Sequence, residues 1–182
     1  MELKKILKTC LVKMGEQNFL DKEELTVTEQ DTVDRLVEAF NVGYRDAVCE
    51  YMPLTAVEKV KVVDGKVDCK NLGKQMVYAT KLLDGNSVKH KFRLMPTTIV
   101  TDFSGDGELE YSYAPDRIEF NEDVEDVRFT AEILADCTLA VYYFSLRAFD
   151  LASAYDDSYR KAVKRLKYKG REIKVKERRW GA

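Results

Sequence analysis

Apolar residues near the start of the chain recur every three or four positions, which is the spacing of an amphipathic helix. The first such stretch predicts a helix over residues 2–14, with Gly15 where a left-handed C-cap would fall. The second stretch predicts a helix over residues 29–51, and Pro53 lies just past its end. The chain is therefore expected to open with two helices, each with one apolar face.

Local signals refine the second helix. Thr26 or Thr28 can cap it, and Thr26 together with Glu29 has the spacing of a capping box. Gly43 lies inside the helix, where glycine costs about 1 kcal/mol relative to alanine. Its presence there indicates either a bend or a close contact with another helix.

Between residues 54 and 120 the apolar pattern changes to the two-residue alternation of β-strands. Three turn signals that contain glycine interrupt this stretch, at 64–65, 84–86 and 104–107. Strand-like runs flank each signal, so we expect antiparallel hairpins with one half-buried face. The expected strands span residues 57–63, 66–70, 75–83, 88–94, 98–103 and 108–113.

Two further helices are expected near the C-terminus, over residues 126–147 and 150–167. The first is apolar over much of its circumference, which is typical of a helix packed between neighbours. Asp150 is the expected N-cap of the second, whose apolar seam has near-heptad spacing. We expect an antiparallel pair in which Tyr155, Tyr159 and Leu166 face Cys137, Ala140 and Phe144.

Together these elements predict an α+β protein. In the expected architecture, the N- and C-terminal helices form a helical bundle, and residues 54–120 form an inserted antiparallel β-hairpin module. We expect a single domain over residues 1–168, since a chain of 182 residues is long enough to bury a core of its own. A basic C-terminal arm, residues 169–182, follows that domain.

The charge of the chain is divided unevenly between its body and its end. Residues 160–179 contain eleven bases and two acids, a net charge of +9. Because the whole chain carries −2, the remaining residues must carry −11. An acidic body with a basic end favours contacts with other surfaces, including further copies of the same chain.

Residues that could support catalysis or bind a metal are sparse. His90 is the only histidine and has no cysteine or acidic partner at ligand spacing, so we expect neither a metal nor a cofactor. The cysteines form no C-x-x-C pair and are expected to be reduced, structural thiols of a cytosolic protein. No phosphate-binding glycine loop is present, and no apolar run approaches the ~20 residues of a membrane helix. We therefore expect neither an enzyme nor a membrane protein.

The C-terminal arm alternates apolar and charged residues and ends with the only tryptophan of the chain. Three interpretations are open: a solvated terminus, a nucleic-acid-binding arm, and an arm that docks on a partner protein. Tryptophan and arginine are enriched at interface hot spots, which favours the third over random basicity. The expected docking residues are Ile173, Val175, Arg178, Arg179 and Trp180.

Several short motifs occur in a fixed order along the chain. They are Met52-Pro53-Leu54 after the N-terminal helices, Tyr111-Ser112-Tyr113-Ala114-Pro115 at the end of the hairpin module, Phe149-Asp150-x-Ala152, Tyr159-x-x-Ala162-x-x-x-Leu166, and Arg178-Arg179-Trp180-Gly181. Together they resemble the head–tail connector (adaptor) proteins of tailed bacteriophages. The resemblance covers most of the chain, and the order of the elements carries it more than any single motif.

The resemblance implies a structural protein of the virion neck that is made in the host cell cytoplasm. About twelve copies would form a ring, and such head-to-tail association requires two different complementary faces on each subunit. The ring would bind beneath the portal protein through the C-terminal arm and would receive the next neck or tail protein. DNA would pass through the channel of the ring without specific binding.

Other functions remain open at this stage. A tail-completion or tail-terminator ring protein would serve in the same virion and fits the same sequence features. A cytosolic nucleic-acid-binding module that uses the basic arm is the alternative from a different class. Binding of DNA that depends on salt concentration would distinguish this module from a virion component.

Overall fold

The computed structural model describes residues 1–16, 19, 22, 24–124 and 128–169. Within these residues the chain is α+β, with four α-helices and two antiparallel sheets, as the sequence predicts at this level. In chain order the elements are α1 (Leu3–Met14), α2 (Val27–Glu50), β1 (Leu54–Val62), β2 (Lys66–Asp68), a 3₁₀ turn (Cys69–Asn71), β3 (Met76–Asp84), β4 (Lys89–His90), β5 (Phe92–Leu94), β6 (Thr98–Thr101), β7 (Gly105–Tyr113), α3 (Ala131–Ser145) and α4 (Phe149–Lys169).

The ends of the two N-terminal helices follow from local sequence signals. Gly15 adopts φ 84° and its N–H bonds to the last carbonyls of α1, which is the expected left-handed C-cap. Thr26 caps α2 in a complete capping box with Glu29, so the helix begins two residues earlier than predicted. Hydrogen bonds from Lys22 and from the Thr26 backbone lower the pKa of the Glu29 carboxyl to about 2.

Both C-terminal helices begin elsewhere than predicted. The start of α3 is Ala131 and not residue 126, because Thr130 accepts the N–H of Ile133 and caps the helix there. Arg128 donates hydrogen bonds to the carbonyl oxygens of Met52 and Pro53, which ties the preceding segment to the end of α2. α4 begins at Phe149, so the prediction of Asp150 as its N-cap is wrong: Asp150 lies inside the first turn.

The helices share one apolar core. α3 packs against α1, α2 and α4, and its residues Leu134, Ala135 and Leu139 are almost fully buried. From α4, Tyr159 and Val163 are buried against this core, while Tyr155 and Leu166 are partly buried. The predicted facing pair differs at one end of the seam: Tyr155 stacks on Tyr143, while Phe144 is 66% exposed and contacts Phe149.

The β-strands divide between two sheets. The larger sheet has the order β1-β7-β3-β4, and the smaller has the order β2-β6-β5. The turn at Asp64 and Gly65 is tight, with φ angles of 50° and 69°, yet the strands on its two sides belong to different sheets. The turn that begins at Asp84 joins β3 to β4 as a hairpin, as predicted.

Two predictions about the strands are wrong. The expected strand over 88–94 is two short strands, β4 and β5, because the chain passes from one sheet to the other at Lys91. The expected hairpin at 104–107 does not form, since β6 pairs with β2 and β5 while β7 lies in the larger sheet. Gly107 lies within β7 instead, where a Cβ atom would approach the Leu83 carbonyl oxygen to 2.6 Å. Glycine at position 107 therefore allows the strands to pack closely and does not form a turn.

A connection from β7 back to the helices is fixed along α2. The side-chain amide of Asn41 donates to the Ile118 carbonyl at 2.9 Å and accepts the Ile118 N–H at 2.8 Å. Arg117 forms an ion pair with Glu38 nearby. These contacts hold the segment that follows β7 against α2. Among the described residues, no helix has the length and apolar composition required to cross a bilayer.

Candidate interaction site

The predicted docking residues, Ile173, Val175, Arg178, Arg179 and Trp180, all lie outside the described residues, so their role stays a prediction. The structure describes α4 up to Lys169, which is where the arm begins. A helix of 21 residues is about 30 Å long, so Lys169 lies about 30 Å from the start of α4.

The start of α4, at the opposite end of the helix from the arm, carries an exposed aromatic contact. The rings of Phe144 on α3 and Phe149 on α4 meet edge to face, with centroids 5.6 Å apart. They are 66% and 57% exposed, and Leu146 and Leu151 beside them are 44% and 48% exposed. We call these four residues the aromatic corner. Isolated exposed apolar residues are ordinary, but a contiguous group of this kind marks an interaction surface.

The sequence places the corner in this position through the length of the connection. α3 ends at Ser145 and α4 begins at Phe149, so three residues reverse the chain. Arg147 adopts φ 60° in this turn, and the N–H groups of Arg147 and Ala148 bond to carbonyls of α3. This short turn places Phe144, at the end of α3, directly beside Phe149, at the start of α4.

A groove runs from the aromatic corner between the helices. Its wider part, about 430 Å³, lies between α3 and α4 and includes Val141, Phe144, Phe149 and Ala152 in its lining. An adjoining cavity of about 120 Å³ continues towards α2 and shares Val141 with it. We call the two cavities together the helical groove.

The far end of the helical groove is acidic. Asp46 and Glu50 on α2 and Asp156 on α4 line it, together with one base, Arg160. Arg160 Nε donates to Asp156 Oδ2 at 2.7 Å, so this base is already paired inside the groove. Asp46 and Glu50 are exposed to solvent. One surface therefore combines an apolar aromatic end with an end that carries net negative charge.

His90 is surrounded by carboxylates that the sequence spacing did not reveal. Its Nδ1 lies 2.8 Å from Asp102 and its Nε2 lies 3.4 Å from Asp84, and its ring packs on Phe103. The hydrogen bonds to Asp102 and Asp84 raise the pKa of His90. Each ring nitrogen therefore has a carboxylate partner. The cluster instead joins β4 of one sheet to the end of β6 of the other.

The thiols show no sign of activation. Burial raises the pKa of Cys10 and Cys137 to about 12, which keeps both protonated at neutral pH. All four cysteines are free. Within the part of the chain that the structure describes, no group of three or more histidine, cysteine or acidic side chains is arranged to hold a metal ion.

On the solvent face of the larger sheet, two bases of β1 lie opposite acids of β7. Lys59 and Lys61 on β1 stand opposite Glu108 and Asp106 on β7 in the strand register. Each lysine therefore has an acid as its cross-strand neighbour, an arrangement that stabilises a sheet and balances its charge.

Sequence reasoning missed the aromatic corner and the helical groove, and the only signal that could have found them is the pair Phe144 and Phe149 on either side of a short turn. The carboxylates around His90 had one signal, because Asp84 opens the predicted turn and His90 follows it in the returning strand. A comparison of the sequence with protein-family models and with curated proteins finds no match, so the function rests on the residues and their geometry.

Proposed function

We propose that this chain is a structural protein of a bacteriophage virion, a head–tail connector subunit that forms a ring beneath the portal and extends the DNA channel. One observation carries the proposal: Phe144 and Phe149 present a contiguous aromatic surface to solvent at the corner of two helices. Such a surface is typical of a protein that functions by assembly.

The architecture proposed for this role is a helical bundle with an inserted β-hairpin module and a basic C-terminal arm. In support, α3 packs on both N-terminal helices as well as on α4, although the β-strands separate them in sequence. The Tyr111–Pro115 motif of the resemblance lies at the end of β7, where the chain leaves the β-strand region. Within the sheet, the Tyr111 hydroxyl donates a hydrogen bond to Glu58.

In the proposed assembly, about twelve copies contact one another head to tail, and the ring binds the portal above and a neck or tail protein below. The arm, with Ile173, Val175, Arg178, Arg179 and Trp180, is needed for attachment to the portal. The acidic body suits a channel through which DNA must slide without binding. No cofactor or metal takes part.

Capture on an immobilised portal ring tests this proposal. The full chain should be retained, and a variant that lacks residues 173–182 should not be, because attachment to the portal depends on the arm. Trp180→Ala should lose most of the retention, since a central hot-spot side chain accounts for a large share of binding energy. A matched change, Val27→Ala, replaces an exposed apolar residue far along the chain and should leave retention unchanged.

The same variants separate the proposal from its alternatives. A nucleic-acid-binding module would bind duplex DNA in a salt-dependent way and would tolerate Trp180→Ala while it depends on the bases. A tail-completion ring would form rings but would bind a tail tube and not the portal. Retention of the truncated chain at unchanged affinity would overturn the assignment of the arm.

A further inference from the structure

We infer that the helical groove is the binding site for the C-terminal arm of a second copy of this chain. The inference rests on the proposed ring and identifies the two complementary faces that head-to-tail association requires. One face is the groove between α2, α3 and α4, and the other is the segment 170–182.

The chemistry of the groove fits the composition of the arm. The groove is apolar and aromatic at the end with Phe144 and Phe149, and acidic at the end with Asp46 and Glu50. Residues 170–182 contain five bases, two acids and the only tryptophan of the chain. An indole packed on exposed phenyl rings is a favourable aromatic contact, and the bases are complementary to the acidic end.

The length of the arm favours a neighbour over the same subunit. Trp180 is eleven residues past Lys169, so an extended chain carries it at most about 36–40 Å. The aromatic corner lies about 30 Å back along α4. The arm would have to reverse at the end of α4 and then run almost taut to reach its own corner. A neighbour that presents its groove near the end of α4 requires no such reversal.

When copies dock in this way, each subunit inserts its arm into the groove of one neighbour and accepts the arm of the other neighbour in its own groove. This arrangement repeats around a closed ring. Removal of the arm then prevents ring formation and, as a consequence, attachment to the portal. Self-association without the portal is therefore the property that distinguishes this inference from direct docking of the arm on the portal.

Fluorescence of Trp180, the only tryptophan among 182 residues, tests the inference directly. The emission of the purified full chain should shift to the blue as the protein concentration rises, in step with an increase in mass. Phe149→Ala should move the half-maximal concentration upward by at least about tenfold, because it removes an aromatic anchor. Val27→Ala, which also removes an exposed apolar side chain from the first turn of a helix, is the matched control and should change nothing.

A charge-swap variant tests the other end of the groove. The double change Asp46→Lys and Glu50→Lys should weaken association by at least about tenfold. The fold should persist, because lysine near the C-terminal end of α2 suits the helix dipole. Arg178→Glu with Arg179→Glu in the same chain should restore association. Thermal unfolding of each variant shows that the fold is intact.

Three results would overturn the inference. A blue shift that does not depend on concentration would place the arm in its own groove. A concentration-dependent shift unaffected by Phe149→Ala and by the charge swap would place it on another surface. Emission from solvent-exposed tryptophan at every concentration would show that it does not dock on copies of the chain. If residues 173–182 were still required for portal capture in that last case, the connector proposal would stand and only the groove assignment would fail.

Discussion

Gly43 on α2 faces Cys137 on α3 so closely that a Cβ atom at position 43 would lie 2.8 Å from the Cys137 Sγ. Of the two interpretations of this glycine, the close helix contact is confirmed. The contact brings α2 and α3 together beside the acidic end of the helical groove, and both residues line that cavity. The shape of the groove therefore depends on a glycine in the middle of a helix.

Gly43→Ala should destabilise the protein by about 1 kcal/mol. Overpacking costs about 1–3 kcal/mol, and the better helix propensity of alanine offsets about 1 kcal/mol of this. In a Cys137→Ala background the clash with Sγ is gone, so the same change should be neutral or stabilising. Urea unfolding of the four chains measures the coupling, and a Gly43→Ala effect that is equal in both backgrounds would contradict the contact.

Leu134→Ala and Leu166→Ala should differ in cost. Leu134 is 1% exposed in the helical core, so its truncation should lower the free energy of unfolding by about 2–5 kcal/mol. Leu166 is only partly buried, and its truncation should cost about 1–2 kcal/mol. Denaturant melts of both variants provide the measurement. An effect of Leu166→Ala below about 0.5 kcal/mol would show that the seam of α4 faces away from the core.

Asp136→Ala should cost about 2–3 kcal/mol. Asp136 is buried, with 9% of its surface exposed. It accepts hydrogen bonds from Lys13 at 2.5 Å and from Ser158 at 2.6 Å, and these two bonds join α3 to α1 and to α4. Loss of a buried partner costs up to about 3–5 kcal/mol, but Lys13 keeps Glu132 at 2.9 Å as a second partner. Glu132→Ala, at an exposed carboxylate, should cost less than about 1 kcal/mol and serves as the control. Equal costs for the two variants would contradict this account.

His90 should stabilise the fold in a pH-dependent way. Its hydrogen bonds to Asp102 and Asp84 raise its pKa in the folded protein above the ordinary 6.5. The protonated form is therefore favoured by folding, and the contribution is present below about pH 6.5 and is lost as the pH rises through the raised pKa. The pKa values of Asp84 and Asp102 are lowered, so their contribution disappears as the pH falls below about 4.

The difference in urea midpoint between the native chain and His90→Gln measures this contribution. This difference in midpoint should be measurable at about pH 5.5 and absent at about pH 8.5. Asp102→Asn should reduce the pH dependence, because it removes the hydrogen bond that raises the pKa of His90 most. A difference that is the same at both pH values would show that the cluster does not form.

The parts of the fold that the sequence predicts well are those with local causes. Gly15 ends α1 and the Thr26–Glu29 capping box begins α2, and both signals are complete within a few residues. The start of α3 also has a local signal, the Thr130 cap, which the prediction of a start at residue 126 did not use. The segment just before α3 has a distant cause, because Arg128 reaches the carbonyls of Met52 and Pro53 more than seventy residues away, and no window of sequence contains that contact.

The same reasoning explains why the candidate site was missed. The spacing of Cys137, Ala140 and Phe144 is that of one apolar face, whatever covers it. Whether the last residue of that face is buried depends on how the neighbouring helices pack around it, and here Phe144 stays 66% exposed. The paired strands show the same limit, because glycines at 105 and 107 are compatible with a turn or with close strand packing.

Mass measurement of the intact protein, alone and after mixing with a portal ring, tests the central proposal most directly. A ring-forming connector should give a complex that contains the portal and about twelve copies of this 21.0 kDa chain, with no species of one or two copies bound. The account would be contradicted if the portal and the chain stayed separate at high concentrations of both and the chain remained a monomer throughout.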